Sequence, residues 1–577
     1  MLQNTALVMG DDLRSFLAVV RSLGSKGIEV DVCPFDHSSI ALRSCYIKSI
    51  FSLPPYSYDA QDWLELFIRL LSQNHYDLII PCSDQFIIPI MTHIDQLSEY
   101  RFAIPNKKAY DYFYDKFQTR ELAIDCNVPI APGRLLNEND DSNTLILEFG
   151  LPLIIKPRCS FSLDTLYSRN RVHVLKTKKD VELLLYRIRK HDDYLVEGYF
   201  LGEGAGISIL ACEGEVLLSF QHQRVHEPPD GGGSSYRKSV TLDPELGECV
   251  AALAKKADLT GVSMFEFKIN SKTKDAVLVE ANARFWGSLP LAVGAGIDFP
   301  YHLFRLLVNN EKPGNITYRT NYYGRNFTSD VYCLIRGLEA SRSKEGFGII
   351  FHLTKWCLGF TRILLGKEEI DSFSWRDPVP ALLEFGMLLK ELGLKILKLL
   401  PFNKSYISRV QRKRFLRAWE TCRNRTRRIA IICSGNICRS PFADHVLKRC
   451  LGEIGVSADV RSFGLIPCSG RRCPKNAIDS AQNFDVDLSN HISAYAKDDD
   501  LLGSDIILIF DNKNASGISA RNPSKRQAVF KIGSLCSIGE ISDPYGGESL
   551  DFIQSYEKIV YCVNKIVQLI LKSSAYK

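Results

Sequence analysis

No stretch of about 20 residues in this 577-residue chain is both apolar and free of charge, which excludes a spanning helix of ordinary length. The nearest candidate, Gly346 to Gly366, is interrupted by His352, Lys355 and Arg362 and reads as a buried or surface-lying helix. Charge of one sign is also scarce. The balance of 72 Lys and Arg against 66 Asp and Glu leaves +6, which argues against a nucleic-acid partner unless the charge is concentrated somewhere. The 17 cysteines lack the spacing of a disulfide framework. Met1 to Gly10 reads as a buried strand rather than a secretory leader, because Asn4 and Thr5 interrupt it and Asp11-Asp12 ends it. The thiols are therefore expected to be reduced and the protein cytoplasmic, and the odd count leaves room for a working thiol. The first turn, Gly10-Asp-Asp, lacks the G-x-G-x-x-G spacing of a dinucleotide site. No internal repeat is present.

What remains is an ordinary globular composition, 45% hydrophobic and 24% charged, in a chain too long for one core. The fold class expected is multidomain α/β. Residues 1–100 alternate strand and helix signals: Ala6–Gly10, Ile28–Phe35 and Tyr76–Cys82 as strands, and Leu13 to Gly27 as an amphipathic helix. Residues 101–313 read as α+β, with strands at Leu153–Lys156, Tyr194–Val196, Ile207–Leu210 and Ala276–Val279. Residues 314–426 read as a helical, basic connector, Leu-rich from Leu382 to Leu400 and arginine-dense from Arg409 to Arg428. Residues 427–577 read as a doubly wound parallel-sheet domain opening on Arg428-Ile-Ala-Ile-Ile432. The arginine run has two readings, a solvated linker face or a peripheral contact with an anionic membrane.

The most specific signal is Ile431-Ile-Cys433-Ser434-Gly435-Asn436-Ile437-Cys438-Arg439-Ser440-Pro441, an apolar strand, a tight loop and a helix start. Such a loop turns successive N–H groups inward, and the helix dipole adds positive potential. Arg439 closes the ring with a planar fork that matches two phosphate oxygens. The same field favours a thiolate at Cys433, since cations and helix N-termini lower a thiol pKa from about 8.5 to roughly 3.5–7.5. Ser440 is placed to donate to that sulfur and Asn436 to brace the loop, and Gly435 is expected to take an angle that a side chain would resist. Cys438 admits two readings, a redox partner for Cys433 or a small buried side chain.

These residues resemble the low-molecular-weight protein tyrosine phosphatase family, with its C-x-G-N-I-C-R-S-P loop. The resemblance covers about Arg427 to Lys577. It implies that Cys433 is the nucleophile, that Arg439 holds the phosphate, and that Asp543, in Asp543-Pro544-Tyr545, is the general acid. It implies that His491, ending Asp487-Leu-Ser-Asn-His491, hydrogen-bonds the loop asparagine. Ile507-Leu-Ile-Phe-Asp511 looks like the family's late core strand. Gly546 stands where some relatives carry a second aromatic residue, which leaves phosphotyrosine preference open. Thiol-dependent arsenate reductases share the loop shape but need two further shuttling cysteines, for which Cys468 and Cys473 are the only nearby pair. The phosphatase needs no cofactor.

The preceding segment supplies, in order, what holding a triphosphate demands: lysines, a hinge and magnesium-binding carboxylates. Lys116 begins a helix and Lys156 ends an apolar strand. Leu195-Val-Glu197-Gly-Tyr199-Phe200-Leu-Gly-Glu203 offers the hinge. Glu266 and the run Glu280-Ala-Asn282-Ala-Arg284 lie on strands, where residues two apart share a face. This set resembles the ATP-grasp superfamily, in the branch related to carbamoyl-phosphate synthase and D-aspartate ligases, over residues 1 to 310. The resemblance implies a preceding α/β domain and two α+β subdomains. It implies ATP held by Lys116 and Lys156, adenine flanked by Glu197 and Phe200, Tyr199 among the ATP-binding residues, and ribose bound by Glu203. Magnesium or manganese would sit on Glu266, Glu280 and Asn282, and Arg284 would face an acyl phosphate. Pro157-Arg-Cys-Ser-Phe-Ser162 lacks the glycines that usually cover the phosphates, and Arg224 to Ser234 reads as a glycine-rich lid.

Two activities are therefore expected in one chain. One is hydrolysis of a phosphomonoester, on a phosphotyrosine protein or a phosphorylated small molecule. The other is ligation of an unidentified carboxylate and amine. A non-catalytic ATP-binding sensor or scaffold is the alternative for the N-terminal half.

Overall fold

Thr5-Ala-Leu-Val-Met9 buries its last four side chains and forms β1 (Thr5–Met9), an interior strand of a parallel sheet. With β2 (Glu29–Cys33), β3 (Ile47–Ile50) and β4 (Leu78–Pro81) the order is β3-β2-β1-β4. The helix Ser15–Ser25 follows β1 because the Asp12 carboxylate accepts from the N–H groups of Arg14, Ser15 and Phe16, satisfying donors that a helix start leaves orphaned. The molecule is described here from a computed structural model that covers every residue except 1–3, 55, 57–60, 164–165, 167–168, 189–190, 228–233, 342–355, 357–358, 400, 423–424, 467–468, 522–527 and 576–577. The chain divides into two compact units, Met1–Leu389 and Lys390–Lys577.

In the first unit, β5 (Gly133–Leu135), β6 (Leu153–Pro157), β7 (His173–Leu175) and β8 (Tyr194–Gly198) make a small antiparallel sheet in the order β5-β8-β6-β7. A seven-stranded sheet follows, ordered β13-β12-β9-β10-β11-β14-β15. Its strands are β9 (Glu203–Cys212), β10 (Glu215–His226), β11 (Tyr236–Val240), β12 (Gly261–Ile269), β13 (Ala276–Asn282), β14 (Tyr323–Arg325) and β15 (Glu368–Ile370).

The last two strands fall where the sequence predicts only helix. Each has three residues, too few to show a period of two. What holds them is ionic. Arg325 of β14 is buried with Glu368 of β15 at 2.6 Å and with Asp330, and Arg237 of β11 reaches Asp371 at 2.5 Å. Each buried charge is paired, as burial demands. The glycine-rich segment 228–233 and most of Gly346–Gly366 lie outside the described residues.

The second unit is a four-stranded parallel sheet in the order β17-β16-β18-β19, built from β16 (Arg427–Cys433), β17 (Ala458–Gly464), β18 (Ile506–Ile509) and β19 (Val529–Lys531). The strand order turns back between β16 and β18, so the crevice at their C-terminal ends is the place for a ligand. β16 ends on Cys433 at that edge. The helices Arg439–Glu453 and Ser549–Ala575 share the core under it, where Phe442 and Tyr556 stack at 3.8 Å. Part of the arginine run is taken up by contacts, while Arg409, Lys413 and Arg417 are exposed. Arg412 donates to the Leu535 carbonyl at 2.7 Å, the Arg414 guanidinium lies 5.6 Å from the centre of the Phe530 ring, and Arg427 lies 4.3 Å from that of Trp419.

Candidate active sites

The loop from Cys433 to Arg439 is fixed by its own asparagine. Asn436 is fully buried with φ of +54°, a left-handed angle. The strain predicted for Gly435 therefore sits one residue later. Asn tolerates this region better than most residues because its side chain can hydrogen-bond locally. Its Nδ2 donates to Ser440 Oγ at 2.9 Å and Ser462 Oγ at 3.0 Å, and its Oδ1 accepts from the Ala494 N–H at 2.8 Å. Its carbonyl meets His491 Nε2 at 2.9 Å. Burial holds the His491 pKa below its ordinary value, so a neutral ring donates here. Gly435 matters for space: an added Cβ would come within 3.3 Å of Arg471 Nη2, which itself donates to the Gly435 carbonyl at 2.8 Å.

Around Cys433 the donors converge. Sγ lies 3.0 Å from Ser440 Oγ and 3.2 Å from the Asn436 N–H. Ser434 accepts weakly from Asn514 Nδ2 at 3.4 Å, and the Ile437 side chain is buried in the core. Arg439 is fully buried. Its Nη1 donates to Asp511 Oδ2 at 2.6 Å and the Ile541 carbonyl at 2.9 Å, and its Nη2 donates to Asp543 Oδ2 at 2.6 Å. Its Nε is buried without a hydrogen-bond partner, an orphan donor of the kind that a phosphate oxygen would satisfy. Burial pushes the thiol of Cys438 well above the ordinary range and that of Cys473 up to about 12, and Cys468 lies outside the described residues.

Asp511 and Ser462 were not singled out as site residues by sequence. The legible signal was their place near the C-terminal ends of β17 and β18, the two strands that flank β16, with Asp511 two residues past β18.

The second constellation lies in the first unit. Lys116 and Lys156 are buried, Lys116 bonded to Ser160 Oγ at 2.9 Å and Lys156 to Glu197 at 2.8 Å. Burial depresses the Lys116 pKa, the mark of an ammonium whose lost hydration is incompletely replaced. Glu266 and Glu280 are cross-strand partners on β12 and β13, with Asn282 Nδ2 at 3.3 Å from Glu280. Burial raises the Glu266 pKa; Arg224 opposes that rise and Glu280 adds to it. Desolvation acts on the half-buried Glu280 as well, yet Lys116 and Arg169 draw its pKa below the ordinary value. Two half-buried carboxylates and an amide on one face fit a magnesium-sized cation. Among the described residues no group of three or more His, Cys, Asp or Glu gathers as a metal cluster.

The remaining expected residues are placed as follows. Glu197 is taken up by Lys156 and by Arg120 at 3.5 Å, and Glu203 accepts from Gln223. Tyr199 is exposed and Phe200 half-buried beside them. Arg284 does not stand free. Asp84, just past β4, holds it at 2.8 and 3.0 Å, an ion pair absent from the sequence reading. The glycine-poor loop is tied down by Lys116 to Ser160 and by Arg158 to Asp115.

A thiol at a strand end, met by the Asn436 N–H and the Ser440 hydroxyl on one loop with a buried guanidinium over a parallel sheet, defines a cysteine-dependent phosphatase. Residues 428–575 match the family model for low molecular weight phosphotyrosine protein phosphatase, and residues 190–326 match that for ATP-grasp in the biosynthetic pathway with Ter operon. The chain is 32% identical over 131 residues to the "Probable low molecular weight protein-tyrosine-phosphatase EpsP" of Ralstonia nicotianae, 23% of this chain and 87% of that one. It is 23% identical to the protein-arginine-phosphatase of Bacillus subtilis, over 25% of this chain and 97% of that one. Among solved structures, biotin carboxylase of Campylobacter jejuni aligns with a TM-score of 0.43 at 16% identity, covering 55% of this chain and 74% of that one. Through its C-terminal part the chain belongs to the low molecular weight protein-tyrosine-phosphatase family, fused here to an ATP-grasp domain. No single helix among the described residues is long and apolar enough to cross a membrane.

Proposed function

We propose that the C-terminal unit hydrolyses aryl phosphomonoesters, phosphotyrosine in protein being the physiological class, through a cysteinyl phosphate. The observation that carries this is Cys433 Sγ within reach of the Asn436 N–H and the Ser440 hydroxyl, on one loop with the buried Arg439, whose Nε has no partner. The Cys433 thiolate attacks phosphorus; the S–P bond forms as the ester P–O bond breaks. The guanidinium of Arg439, with its free Nε and with Nη2 released from Asp543, grips two equatorial oxygens whose charge grows in the transition state. Asp543, as the carboxylic acid, gives its proton to the departing oxygen. As the carboxylate, it takes a proton from the water that attacks phosphorus next. The S–P bond then breaks, releasing inorganic phosphate and the thiolate. Asp543 is 2.6 Å from Arg439, at the mouth rather than the floor, which suits both proton steps.

For the first unit, the reading is ATP-dependent ligation of a carboxylate to an amine, with ATP and magnesium (or manganese) as requirements. Lys116 and Lys156 would bind the phosphates, and Glu266, Glu280 and Asn282 the metal. Bound ATP supplies the phosphoryl group that activates the carboxylate. The buried, under-compensated charge of Lys116 supports a polyanion here.

Cys433→Ser and Arg439→Ala should each abolish release of an aryl alcohol from its phosphate ester. Phosphoarginine offered in competition tests the choice of ester: preference for it would replace phosphotyrosine as the substrate class. ADP release that requires both an added carboxylate and an amine would establish ligation. ATP binding without such release would leave a sensor.

A further inference from the structure

We propose that the helix Val379–Leu399 lies with its outer face on an anionic lipid surface. The helix buries one narrow stripe, Pro380, Glu384 and Leu388, spaced four apart. Glu384 anchors that stripe by accepting from Thr328 Oγ1 at 2.6 Å. At 100° per residue the opposite side carries Leu382, Phe385 and Leu389, and these are 63%, 47% and 53% exposed. A water-facing stripe should be polar, and this one is not. Just before the helix, Trp375 is 89% exposed and packs edge-on against Phe373 at 4.9 Å. An exposed tryptophan beside an apolar helix face suits the boundary between headgroups and acyl chains.

Charge selects the occupant. Lys390 is exposed next to the apolar strip, and Arg376 is exposed beside Trp375. A second copy of the chain would bring these like charges together, whereas anionic headgroups neutralise them. In the arginine run beyond, Arg412, Arg414 and Arg427 are held in contacts inside the second unit, while Arg409, Lys413 and Arg417 are exposed but have no comparable apolar strip beside them among the described residues. The apolar side chains available for insertion lie upstream of that run, on the face of the helix Val379–Leu399.

The test is co-sedimentation of the full chain with vesicles of phosphatidylcholine, alone or with about a quarter phosphatidylglycerol. The chain should pellet only with the anionic vesicles and be released at about 0.5 M salt. Leu382→Glu with Leu389→Glu should weaken binding by about tenfold or more. Lys390→Glu, at a solvated position that cannot disturb folding, should weaken it by a smaller factor. In each variant, hydrolysis of an aryl phosphate and the thermal unfolding profile should match the parent. Three outcomes overturn the proposal: no pelleting at low salt, parent-like pelleting of both variants, or a parent dimer by light scattering that the double variant turns into monomer.

Discussion

The two candidate sites treat charge in opposite ways. The phosphatase loop is pre-assembled: Asn436 makes four hydrogen bonds that hold the cup open, and one donor of Arg439 waits unpaired. The ATP-side residues instead occupy one another, Lys156 with Glu197, Glu266 with Arg224, and Arg284 with Asp84. The backbone cup of the first site needs little rearrangement, and only the Arg439–Asp543 pair must open for the guanidinium to take a second phosphate oxygen. The second must exchange partners when ATP and a metal enter, so binding there is offset by the ion pairs it breaks.

Breaking the cup should therefore have the largest consequences. Cys433→Ser is expected to lower kcat for an aryl phosphate by roughly 10⁴ or more, read by steady-state kinetics. Asp543→Ala should slow esters with poor leaving groups by about 10²–10³ and spare activated nitrophenyl esters by comparison. Equal slowing of both would remove its role as the acid. Asn436→Ala puts Ala at φ +54° and removes three side-chain bonds, so denaturant unfolding should show a loss of about 3–4 kcal/mol, with kcat falling as well. On the ATP side single changes should be milder. Lys156→Ala should weaken ATP by about tenfold in calorimetry, because part of the lost attraction is recovered when Glu197 is released.

The smallest expected effect concerns pH. Glu369 has a buried carboxyl oxygen with no partner, and burial raises its pKa from 4.5 to about 8, with Asp371 adding to the rise. The folded state thus keeps a proton that the unfolded chain releases near 4.5. The resulting stability is complete below that pH and is lost as pH rises toward 8. Melting of the first unit should fall by about 5 °C across this window, and Glu369→Gln should flatten the fall. A pH-independent transition in the parent would show that the carboxyl is hydrated.

The sites were unequally legible because of how they are written in the chain. Cys433 to Ser440 lies within eight consecutive residues, so strand, loop and helix could be read as one motif. The ATP set is spread from Lys116 to Arg284 and is recognisable only by residue order. Partners reached across the fold stayed hidden: Asp84 lies 200 positions from Arg284, and Asp511 lies 72 from Arg439. The fold shows the same division. The strands β1, β2, β4 and β6 announce themselves by apolar runs, whereas β14 and β15 are three residues each and exist because Arg325 needs Glu368. Pairing between distant charges has no local period to reveal it.

The most direct test of the thiolate-and-guanidinium cup is to catch the phosphate on sulfur. Asp543→Ala, mixed with a nitrophenyl phosphate and acid-quenched, should yield a Cys433 peptide carrying one added phosphate by mass spectrometry, and none when Arg439→Ala is added. Continued turnover with an unmodified Cys433 at every quench time would contradict the account.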